Sequence, residues 1–407
     1  MNKKCAFTIC TRSYLGLADT LRNSFLKFNE DFDFYIIFAD FVDNELDFDY
    51  VLSAKTVMNI EDSKFYEMAF KYNVTEFCTS IKPFGHLYFF EKGYDSVFYF
   101  DPDILFYSRF NEIYEERYSV YLTPHVVNMT PKIRNDWGQE DFLKYGTFNC
   151  GFVGFRNDAI GKKVVVWWAD QLKNKAFADS DKGLYTDQKW MDIIPAFVDL
   201  GKICVIKNLG CDFAPWNYSE RKCVVKNECF YAQNREDEND EYPLCFVHYS
   251  AYNYRKLLEN NEIFSTYKLT HYEDEDQLVW NYANELRDNN TLNRLSIPYL
   301  YATYKNGDII TNLHRCLYNQ LLQNGEDYGN PFEDERFWKI MKQNKLISKQ
   351  DLSKVGKGSV KNYSGKSSQI DRFFRIAFKI LGVDRYTLLL RKIAKNANYR
   401  NNIFLIK

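Results

Sequence analysis

The stretch Val97-Phe98-Tyr99-Phe100-Asp101-Pro102-Asp103-Ile104-Leu105-Phe106 joins two apolar runs through a pair of carboxylates. The first run predicts a buried strand, so Asp101 and Asp103 would lie where that strand ends. In open α/β sheets, ligands bind beyond the carboxyl ends of the strands. Carboxylates at such a place are costly unless they hold a cation or another partner, and Mg²⁺ and Mn²⁺ suit carboxylate oxygens. A strand-end turn with two solvated acids is the alternative.

Strand-like and helix-like stretches alternate over the first 210 residues, which predicts an α/β fold with a largely parallel sheet. Within the helix predicted over 74–92, Pro83 predicts a kink or an early break. The segments predicted as strands are residues 6–10, 34–39, 96–100, 119–123, 148–155 and 246–250. The segments predicted as helices are residues 14–28, 74–92, 164–172 and 187–194, followed by a mainly helical stretch over 252–328.

The composition is that of a globular protein with an unusually aromatic core. Of 407 residues, 46% are hydrophobic and 27% are charged, which excludes a disordered or collagen-like chain. No run of 18 apolar residues occurs, and the N-terminus is typical of a first strand rather than a signal peptide. The ten cysteines form no CxxC pair, and the spacings of Cys211, Cys223, Cys229 and Cys245 do not fit a zinc site. We therefore expect a reduced, cytoplasmic protein.

The C-terminal segment differs from the rest of the chain in charge. Residues 341–407 hold 16 Lys and Arg against three Asp and Glu, whereas residues 1–340 hold 37 basic and 52 acidic residues. A Ser-, Gly- and Lys-rich stretch precedes a basic amphipathic helix whose apolar stripe comprises Ile370, Phe373, Phe374, Ala377, Phe378 and Leu381. The predicted division is a catalytic domain over 1–255, a helical extension over 256–335, a basic linker over 336–369 and an amphipathic tail over 370–407.

Two partners suit such a tail. It could pack on the acidic surface of residues 1–340, or it could attach the protein to an anionic membrane face. We favour the membrane face, which predicts a cytoplasmic protein that is peripheral on the inner side of the cell membrane. Nucleic acid is not an expected partner, because the chain has no recognised groove-reading module.

Several further motifs follow in order along the chain and carry a family resemblance. They are Lys82-Pro83-Phe84, Asp101-Pro102-Asp103, Thr123-Pro124-His125, Asn149-Cys150-Gly151-Phe152, Asp187-Gln188-Lys189-Trp190 and His248-Tyr249-Ser250. With these motifs the chain resembles, over residues 4–335, nucleotide-sugar glycosyltransferases of the GT-A fold. It is most similar to the retaining glycogenin and lipopolysaccharide galactosyltransferase group, glycosyltransferase family 8. One departure is that no Gly and no Lys-Pro-Trp follow His248.

The resemblance implies a role for each matched residue. Asp101, Asp103 and His248 would hold Mn²⁺ or Mg²⁺, and Asp187 and Gln188 would be the catalytic residues. The implied donor-binding residues are Thr8, Cys10, Thr11, Tyr14, Lys82, Asp101, His125, Asn149, Gly151 and Ser250. Residues 136–146, with Trp137 and Tyr145, are a candidate acceptor or lid loop.

Each of these residues also has a structural interpretation that the sequence leaves open. Tyr14 could be an ordinary aromatic at the start of a helix, and Lys82 a solvated surface lysine. Asp187 could cap a helix, and His248 could be a structural histidine. Asn149 could make only a backbone contact inside its strand.

The implied activity is transfer of a sugar from a nucleotide-diphosphate sugar, with a UDP-sugar favoured. The acceptor would be a glycan or a lipid-linked glycan in the synthesis of bacterial surface polysaccharide, and the reaction would need a metal and retain the anomeric configuration. A sugar-1-phosphate nucleotidyltransferase is one alternative, although residues 8–14 lack the Gly-rich loop usual in such enzymes. A non-catalytic sugar-nucleotide-binding protein of the same fold is another.

Overall fold

The computed structural model describes residues 2–41, 48–129, 136–267, 269–347 and 364–406, and for 364–371 and Arg400 the backbone alone. The chain divides into two compact units. The larger unit comprises residues 1–60 and 74–299, and the smaller unit comprises residues 61–73 and 300–407. The predicted helical extension over 256–335 thus contributes residues to both units. The boundaries predicted from the sequence stay predictions, and most of the Ser-, Gly- and Lys-rich stretch lies outside the described residues.

The strands, in chain order, are β1 (Lys4–Cys10), β2 (Phe32–Phe38), β3 (Val51–Ser53), β4 (Ser96–Phe100), β5 (Ile104–Phe106), β6 (Val120–Pro124), β7 (Phe148–Arg156), β8 (Ala178–Asp179), β9 (Leu184–Tyr185), β10 (Ile203–Val205), β11 (Arg221–Lys226), β12 (Cys229–Asn234), β13 (Glu241–Pro243) and β14 (Phe246–His248). The α-helices are α1 (Leu15–Phe28), α2 (Ala54–Met58), α3 (Asp62–Lys71), α4 (Val74–Glu91), α5 (Gln139–Tyr145), α6 (Ala159–Lys175), α7 (Tyr254–Asn260), α8 (Asp276–Asp288), α9 (Thr291–Arg294), α10 (Asn312–Gln323), α11 (Glu335–Gln343) and α12 (Ser364–Ala397). Residues 187–194, predicted as a helix, fall mostly in a 3₁₀-helix over Gln188–Ala196.

A seven-stranded sheet forms the centre of the larger unit, in the order β10-β6-β7-β4-β1-β2-β3. The pairs β1–β2, β1–β4, β2–β3 and β10–β6 are parallel, whereas β7 runs antiparallel to both its neighbours. The predicted α/β class with a largely parallel sheet is therefore confirmed, as is a helical C-terminal segment. Because β1 and β4 are adjacent and parallel, their carboxyl ends meet at one edge of the sheet.

A register shift between β6 and β7 shapes that edge. Leu122 pairs with Val153 and the next residue, Thr123, pairs with Asn149, so three residues of β7 bulge out of the ladder. Bulges are frequent beside active sites, since they present side chains and carbonyls that a regular ladder would use up. This bulge contains Cys150 and Gly151, and it lies beside the end of β4.

The core beneath the sheet is built from aromatic rings. Phe25 of α1 packs against Phe100 and Phe106, with ring centroids 5.4 and 5.0 Å apart. Phe100 in turn contacts Phe152 at 5.2 Å and Phe246 at 6.0 Å. All five rings are buried. Aromatic packing thus holds α1 and the strands on either side of the carboxylate pair in one rigid body.

Of the kink or early break predicted at Pro83, the early break is wrong, because α4 continues through this residue to Glu91. Proline removes one hydrogen bond from a helix interior, which favours a break only where packing does not oppose it. Residues on both sides of Pro83 are buried, including Ile81 and Phe84, and α4 packs on β1, β4 and α6. Tertiary packing therefore offsets the lost bond.

In the smaller unit, a buried arginine ties the end of α3 to the C-terminal helices. The Arg315 guanidinium donates to the carbonyls of Ala69, Phe70 and Tyr72 at 3.1, 2.7 and 2.7 Å. Another bond of 2.7 Å reaches the Tyr301 carbonyl. These bonds satisfy carbonyls that the end of α3 leaves without helical partners. Phe70, Leu317, Tyr318, Phe337 and Met341 form the core around this arginine.

The C-terminal helix α12 contains the predicted amphipathic segment. Its backbone leaves the helical conformation at Gly382, where φ is +68°. Several of its large apolar side chains face solvent: Phe373 is 61% exposed, Phe378 46% and Ile380 77%. No helix among the described residues is long and apolar enough to cross a membrane.

Candidate active site

The carboxylate pair lies at a corner of the chain that is hydrogen-bonded at both ends. After Phe100 ends β4, the Asp101 N–H donates to the Gly151 carbonyl in the β7 bulge at 2.7 Å. The Asp103 carbonyl accepts from the Tyr249 N–H at 2.8 Å, directly after β14. Both anchors are backbone groups, one in β7 of the central sheet and one directly after β14 of the two-stranded β5–β14 sheet. The backbone of these two sheets therefore holds the two carboxylates in place.

His248 reaches the same corner as the last residue of β14. This strand pairs antiparallel with β5, and the register places His248 opposite Ile104. Its Nε2 lies 3.1 Å from Asp103 Oδ1 and 3.7 Å from Asp101 Oδ2. One ligand atom from each of the three side chains falls within 4.8 Å of the others. Within the part of the chain that the structure describes, no other group of three His, Cys, Asp or Glu residues meets this criterion.

These three side chains fit a divalent cation. Two carboxylates and an imidazole are ligands that Mn²⁺ accepts, and Mg²⁺ accepts the carboxylates with water or phosphate oxygens. The His248 side chain is buried, whereas 28% of the Asp101 side chain and 17% of the Asp103 side chain are exposed. A cation held here would thus remain open to a further ligand on the carboxylate side.

The protonation of His248 reflects the two carboxylates. Burial alone would lower the pKa of His248, but Asp103, with help from Asp212 and Asp101, raises it to about 10. Burial alone would raise the pKa of Asp103, but the facing imidazolium holds it below its ordinary value. A cation would replace the proton on Nε2, so binding of a cation releases that proton.

A second charged pair lies beside the first. The Lys82 ammonium is buried, 2.8 Å from Asp187 Oδ2 and 3.4 Å from Asp101 Oδ1, and it donates to the Cys150 carbonyl at 2.7 Å. Burial alone would lower the pKa of Lys82, but the carboxylates raise it above its ordinary value. The Tyr99 hydroxyl donates to Asp101 Oδ1 at 2.5 Å. Lys82 is therefore not a solvated surface lysine, and it links Asp101 to Asp187.

Asp187 does not cap the 3₁₀-helix that it precedes. Its Oδ1 accepts from the Thr186 hydroxyl at 2.9 Å, and its Oδ2 faces Lys82. Burial raises the pKa of Asp187, although the ammonium opposes this shift. The next residue, Gln188, donates from Nε2 to the Tyr145 carbonyl at 2.8 Å. Tyr145 ends α5, so the candidate acceptor or lid loop over 136–146 is largely helical.

Two tyrosines, Tyr14 after β1 and Tyr254 at the start of α7, connect the region after the first strand to the carboxylates. The Tyr14 ring packs edge-on against Tyr254, with centroids 6.1 Å apart, and the Tyr254 hydroxyl donates to Asp103 Oδ2 at 3.1 Å. Thr8 is buried, and its hydroxyl has no hydrogen-bond partner among the described residues. The Thr11 hydroxyl bonds to Ser13 at 2.8 Å.

Cys10 and Asn149 are turned inward. Cys10 lies in the hydrophobic core, and its carbonyl accepts from the Ala39 N–H at 2.9 Å. Asn149 Oδ1 accepts from the Gly151 N–H at 2.8 Å, which is the structural contact that the sequence left open. Gly151 itself packs against His248: a Cβ on this glycine would lie 2.4 Å from His248 Cε1. A side chain at position 151 would therefore displace the imidazole.

His125 lies behind the cation site rather than in it. Its ring stacks on Phe142 with centroids 5.3 Å apart, and Trp216 lies between it and His248 with its ring edge-on to both. Burial lowers the pKa of His125 to about 4, so it is neutral at physiological pH. Its Nε2 is 3.4 Å from the Asn149 amide.

A group of aromatic side chains flanks the site next to residues 136–146, the candidate acceptor or lid loop. Trp137 lies nearly parallel to Trp216 at 6.3 Å and contacts Tyr145 at 5.2 Å and Tyr267 at 5.1 Å. The Tyr267 hydroxyl is 3.4 Å from Ser250 Oγ. Partly exposed aromatic faces of this kind are suited to sugar rings, whose C–H faces are apolar.

Sequence reasoning missed three residues that contact the predicted site. Tyr99 could have been found, because residues two apart along a strand share a face and Tyr99 lies two residues before Asp101. Tyr254 and Asp212 could not, since they come from distant segments with no motif of their own. Asp212 Oδ1 lies 3.6 Å from His248 Nδ1.

Comparison with known proteins finds distant relatives. No family model matches the chain. Protein YfnF of Bacillus subtilis, itself uncharacterized, is 26% identical over 202 residues, which cover 47% of this chain and 62% of that protein. This chain thus covers less than two thirds of that relative's length.

Solved glycosyltransferase structures are also similar, at low identity. Galactosyltransferase LgtC matches with a TM-score of 0.38 and 12% identity over 70% of this chain and 95% of that one. GlyE of Streptococcus pneumoniae matches with a TM-score of 0.35 and 11% identity over 75% and 67%. Mouse xyloside xylosyltransferase 1 matches with a TM-score of 0.34 and 12% identity over 61% and 97%. Because these likenesses are distant, the function has to be inferred from the geometry of the chain's own site.

Breaking the buried pair of Lys82 and Asp187 should destabilise the fold, and removing the carboxylate that is left unpaired should restore part of the stability. Lys82→Met leaves a buried carboxylate without its cation, so the free energy of unfolding should fall by about 3–5 kcal/mol in urea titrations. Adding Asp187→Asn should recover at least about half of that loss. Lys189→Met, in a more exposed pair with Asp192, is the control and should cost less than about 1 kcal/mol. An unchanged urea midpoint for Lys82→Met would show that the pair is not formed.

Proposed function

We propose that the protein is a metal-dependent glycosyltransferase of the GT-A type, with a UDP-sugar as the favoured donor. One observation carries the proposal: Asp101, Asp103 and His248 converge at the carboxyl end of β4, with the Lys82–Asp187 pair directly beside them. This arrangement offers positive charge for a diphosphate and a carboxylate for a sugar. Mn²⁺ or Mg²⁺ is the proposed cofactor.

The reaction breaks the bond between the anomeric carbon and a diphosphate oxygen. A cation on the triad would neutralise the charge that develops on the departing diphosphate. Lys82 would add a second positive charge from the protein. It is already held by two carboxylates, so it would need little reorganisation when the diphosphate arrives. The tyrosine pair of Tyr14 and Tyr254 would pack against the nucleoside.

Asp187 is the proposed catalytic carboxylate. Positive charge builds on the sugar ring as the donor bond breaks, and a nearby carboxylate stabilises it. Lys82 and Thr186 fix the position of this carboxylate, and Gln188 would contact the sugar. Retention of the anomeric configuration is part of the proposal and rests on the family resemblance alone.

The proposed acceptor is a glycan or a lipid-linked glycan of bacterial surface polysaccharide. The aromatic group around Trp137 would receive an acceptor sugar and exclude water from the donor. Gln188 donates to the Tyr145 carbonyl. This hydrogen bond links the proposed acceptor side to the residue that directly follows the proposed catalytic carboxylate, Asp187.

A screen of UDP-sugars tests the proposed activity. With Mn²⁺, at least one UDP-sugar should release UDP slowly without an acceptor and faster with glycan acceptors, and a chelator should stop both. Asp103→Ala should lower UDP release by at least about 100-fold while thermal unfolding stays cooperative. Asp276→Ala, from another Asp-x-Asp triplet of the chain, is the matched control and should stay active.

The same screen separates the other functions. Pyrophosphate release from a nucleoside triphosphate and a sugar 1-phosphate would indicate a nucleotidyltransferase instead. Binding of a UDP-sugar with no release of UDP under any condition would indicate a non-catalytic binding protein. Full activity of Asp103→Ala would contradict the metal-site proposal.

We further propose that α12 attaches the protein to an anionic membrane face. Exposed apolar side chains, among them Phe373 and Phe378, share this helix with basic residues. The apolar groups would enter the interface, and each basic residue near an anionic surface would contribute about 1 kcal/mol. The basic residues of α12 whose side chains are described are Arg372, Arg375, Lys379, Arg385, Arg391, Lys392 and Lys395.

Cosedimentation of the full chain with vesicles tests this attachment. The protein should bind vesicles that contain phosphatidylglycerol much more than neutral phosphatidylcholine vesicles, and added salt should weaken binding. Phe373→Glu with Phe378→Glu should weaken binding by at least about tenfold. Phe197→Glu alters a similarly exposed ring outside the tail and should have little effect. Equal binding by the double variant would show that α12 is not the anchor.

A further inference from the structure

Asp212 is a buried acid with no role in the function proposed above. Its side chain is 1% exposed, and neither of its carboxylate oxygens has a hydrogen-bond partner among the residues that the structure describes. The nearest polar atom that it faces is His248 Nδ1, 3.6 Å from Oδ1, which is long for a hydrogen bond. Nδ1 of His248 is likewise buried and without a hydrogen-bond partner among those residues. A buried carboxylate and a buried ring nitrogen therefore face each other alone.

The backbone holds Asp212 in this position. Its φ is +54°, in the left-handed region that aspartate, asparagine and glycine tolerate best. The Asn217 amide donates to the Asp212 carbonyl at 2.8 Å, and Asn217 Oδ1 accepts from the Ala214 N–H at 2.9 Å. The His248 N–H donates to the carbonyl of Phe213 at 2.8 Å. The segment that carries Asp212 is thus bonded directly to the residue that its side chain faces.

Two other residues restrict the imidazole ring. Trp216 lies edge-on to His248, with centroids 5.1 Å apart and planes at 87°. Gly151 lies on another side, where even a Cβ would come within 2.6 Å of Nδ1. The ring can therefore shift little, and the polar group that Nδ1 faces is Asp212.

We propose that Asp212 is a positioning residue that holds the proton of His248 on Nδ1, so that Nε2 is directed at Asp101 and Asp103 as a cation ligand. The inference rests on the proposed metal-dependent function and adds a residue to it. Histidines that bind metals usually donate their other ring N–H to a carboxylate or carbonyl, which sets the tautomer and the ring orientation. Among the described residues, Asp212 is the carboxylate placed to accept from Nδ1.

Two substitutions of Asp212 preserve its backbone conformation. Asp212→Asn keeps the shape of the side chain but offers an amide that can donate to Nδ1 and favour the wrong tautomer. Asp212→Gly removes the side chain and still tolerates a positive φ. Asp158→Asn is the control, because it exchanges one good helix cap for another at the start of α6. Cooperative thermal unfolding identifies the folded variants.

The first measurement is binding of Mn²⁺ alone, followed by electron paramagnetic resonance. Wild-type protein should bind Mn²⁺, and Asp103→Ala should abolish this binding. Asp212→Asn and Asp212→Gly should each weaken it by about 10–100-fold, and Asp158→Asn should not. Wild-type affinity in both folded Asp212 variants would overturn the inference while leaving the metal site intact.

The second measurement needs no metal. The chain has five histidines, so the ring signals of ¹⁵N-histidine-labelled protein can be assigned with a His248 substitution. The His248 Nδ1–H signal should be protected from solvent exchange in wild type and should broaden or disappear in Asp212→Gly. If Mn²⁺ does not bind wild-type protein, the metal part of the proposed function fails and this signal alone decides the role of Asp212. An Nδ1–H signal identical in wild type and both variants would overturn the inference.

Discussion

The site depends on one constraint, which is the fixed corner between β4 and β5. Backbone bonds from the β7 bulge and from Tyr249 hold Asp101 and Asp103 at this corner. β5 also pairs with β14, and the register of this two-stranded sheet places His248 beside the two carboxylates. Phe100, Phe106 and Phe246 are buried and pack on one another beneath the corner, which favours a single register for these strands. The position of these three candidate ligands is thus a consequence of the fold.

Charge in the site is concentrated and only partly compensated. Asp101, Asp103 and Asp187 meet one lysine and one histidine, all within a region that is largely buried. Buried charges persist only when they are paired, and here three carboxylates meet two cationic side chains, with Asp101 and Asp103 partly exposed. Such an arrangement favours a divalent cation and, through it, an anionic ligand. The excess of carboxylates that the fold places at this site therefore agrees with the proposed transfer from a sugar diphosphate through a bound cation.

Much of this site could be predicted from local sequence, because its main parts are local. The apolar run before Asp101 defines a strand end, and the run before His248 defines another. The predictions of Lys82, Asp187 and His248 as site residues needed the family resemblance, and only the structure shows that Lys82 and Asp187 form a pair. The continuation of α4 through Pro83 depends on packing from other elements, which no local pattern contains. Asp212 is far from any motif, and its importance appears only from the ring nitrogen that it faces.

Asp101, Asp103 and His248 are proposed to hold one cation that also binds a nucleoside diphosphate. Pulsed electron paramagnetic resonance of Mn²⁺ with the full chain and UDP tests this site. One Mn²⁺ should couple both to the phosphorus nuclei of UDP and to a histidine ¹⁴N, and His248→Ala should remove the nitrogen coupling. Mn²⁺ that couples to the UDP phosphorus nuclei but to no histidine nitrogen in wild-type protein would contradict the proposed site.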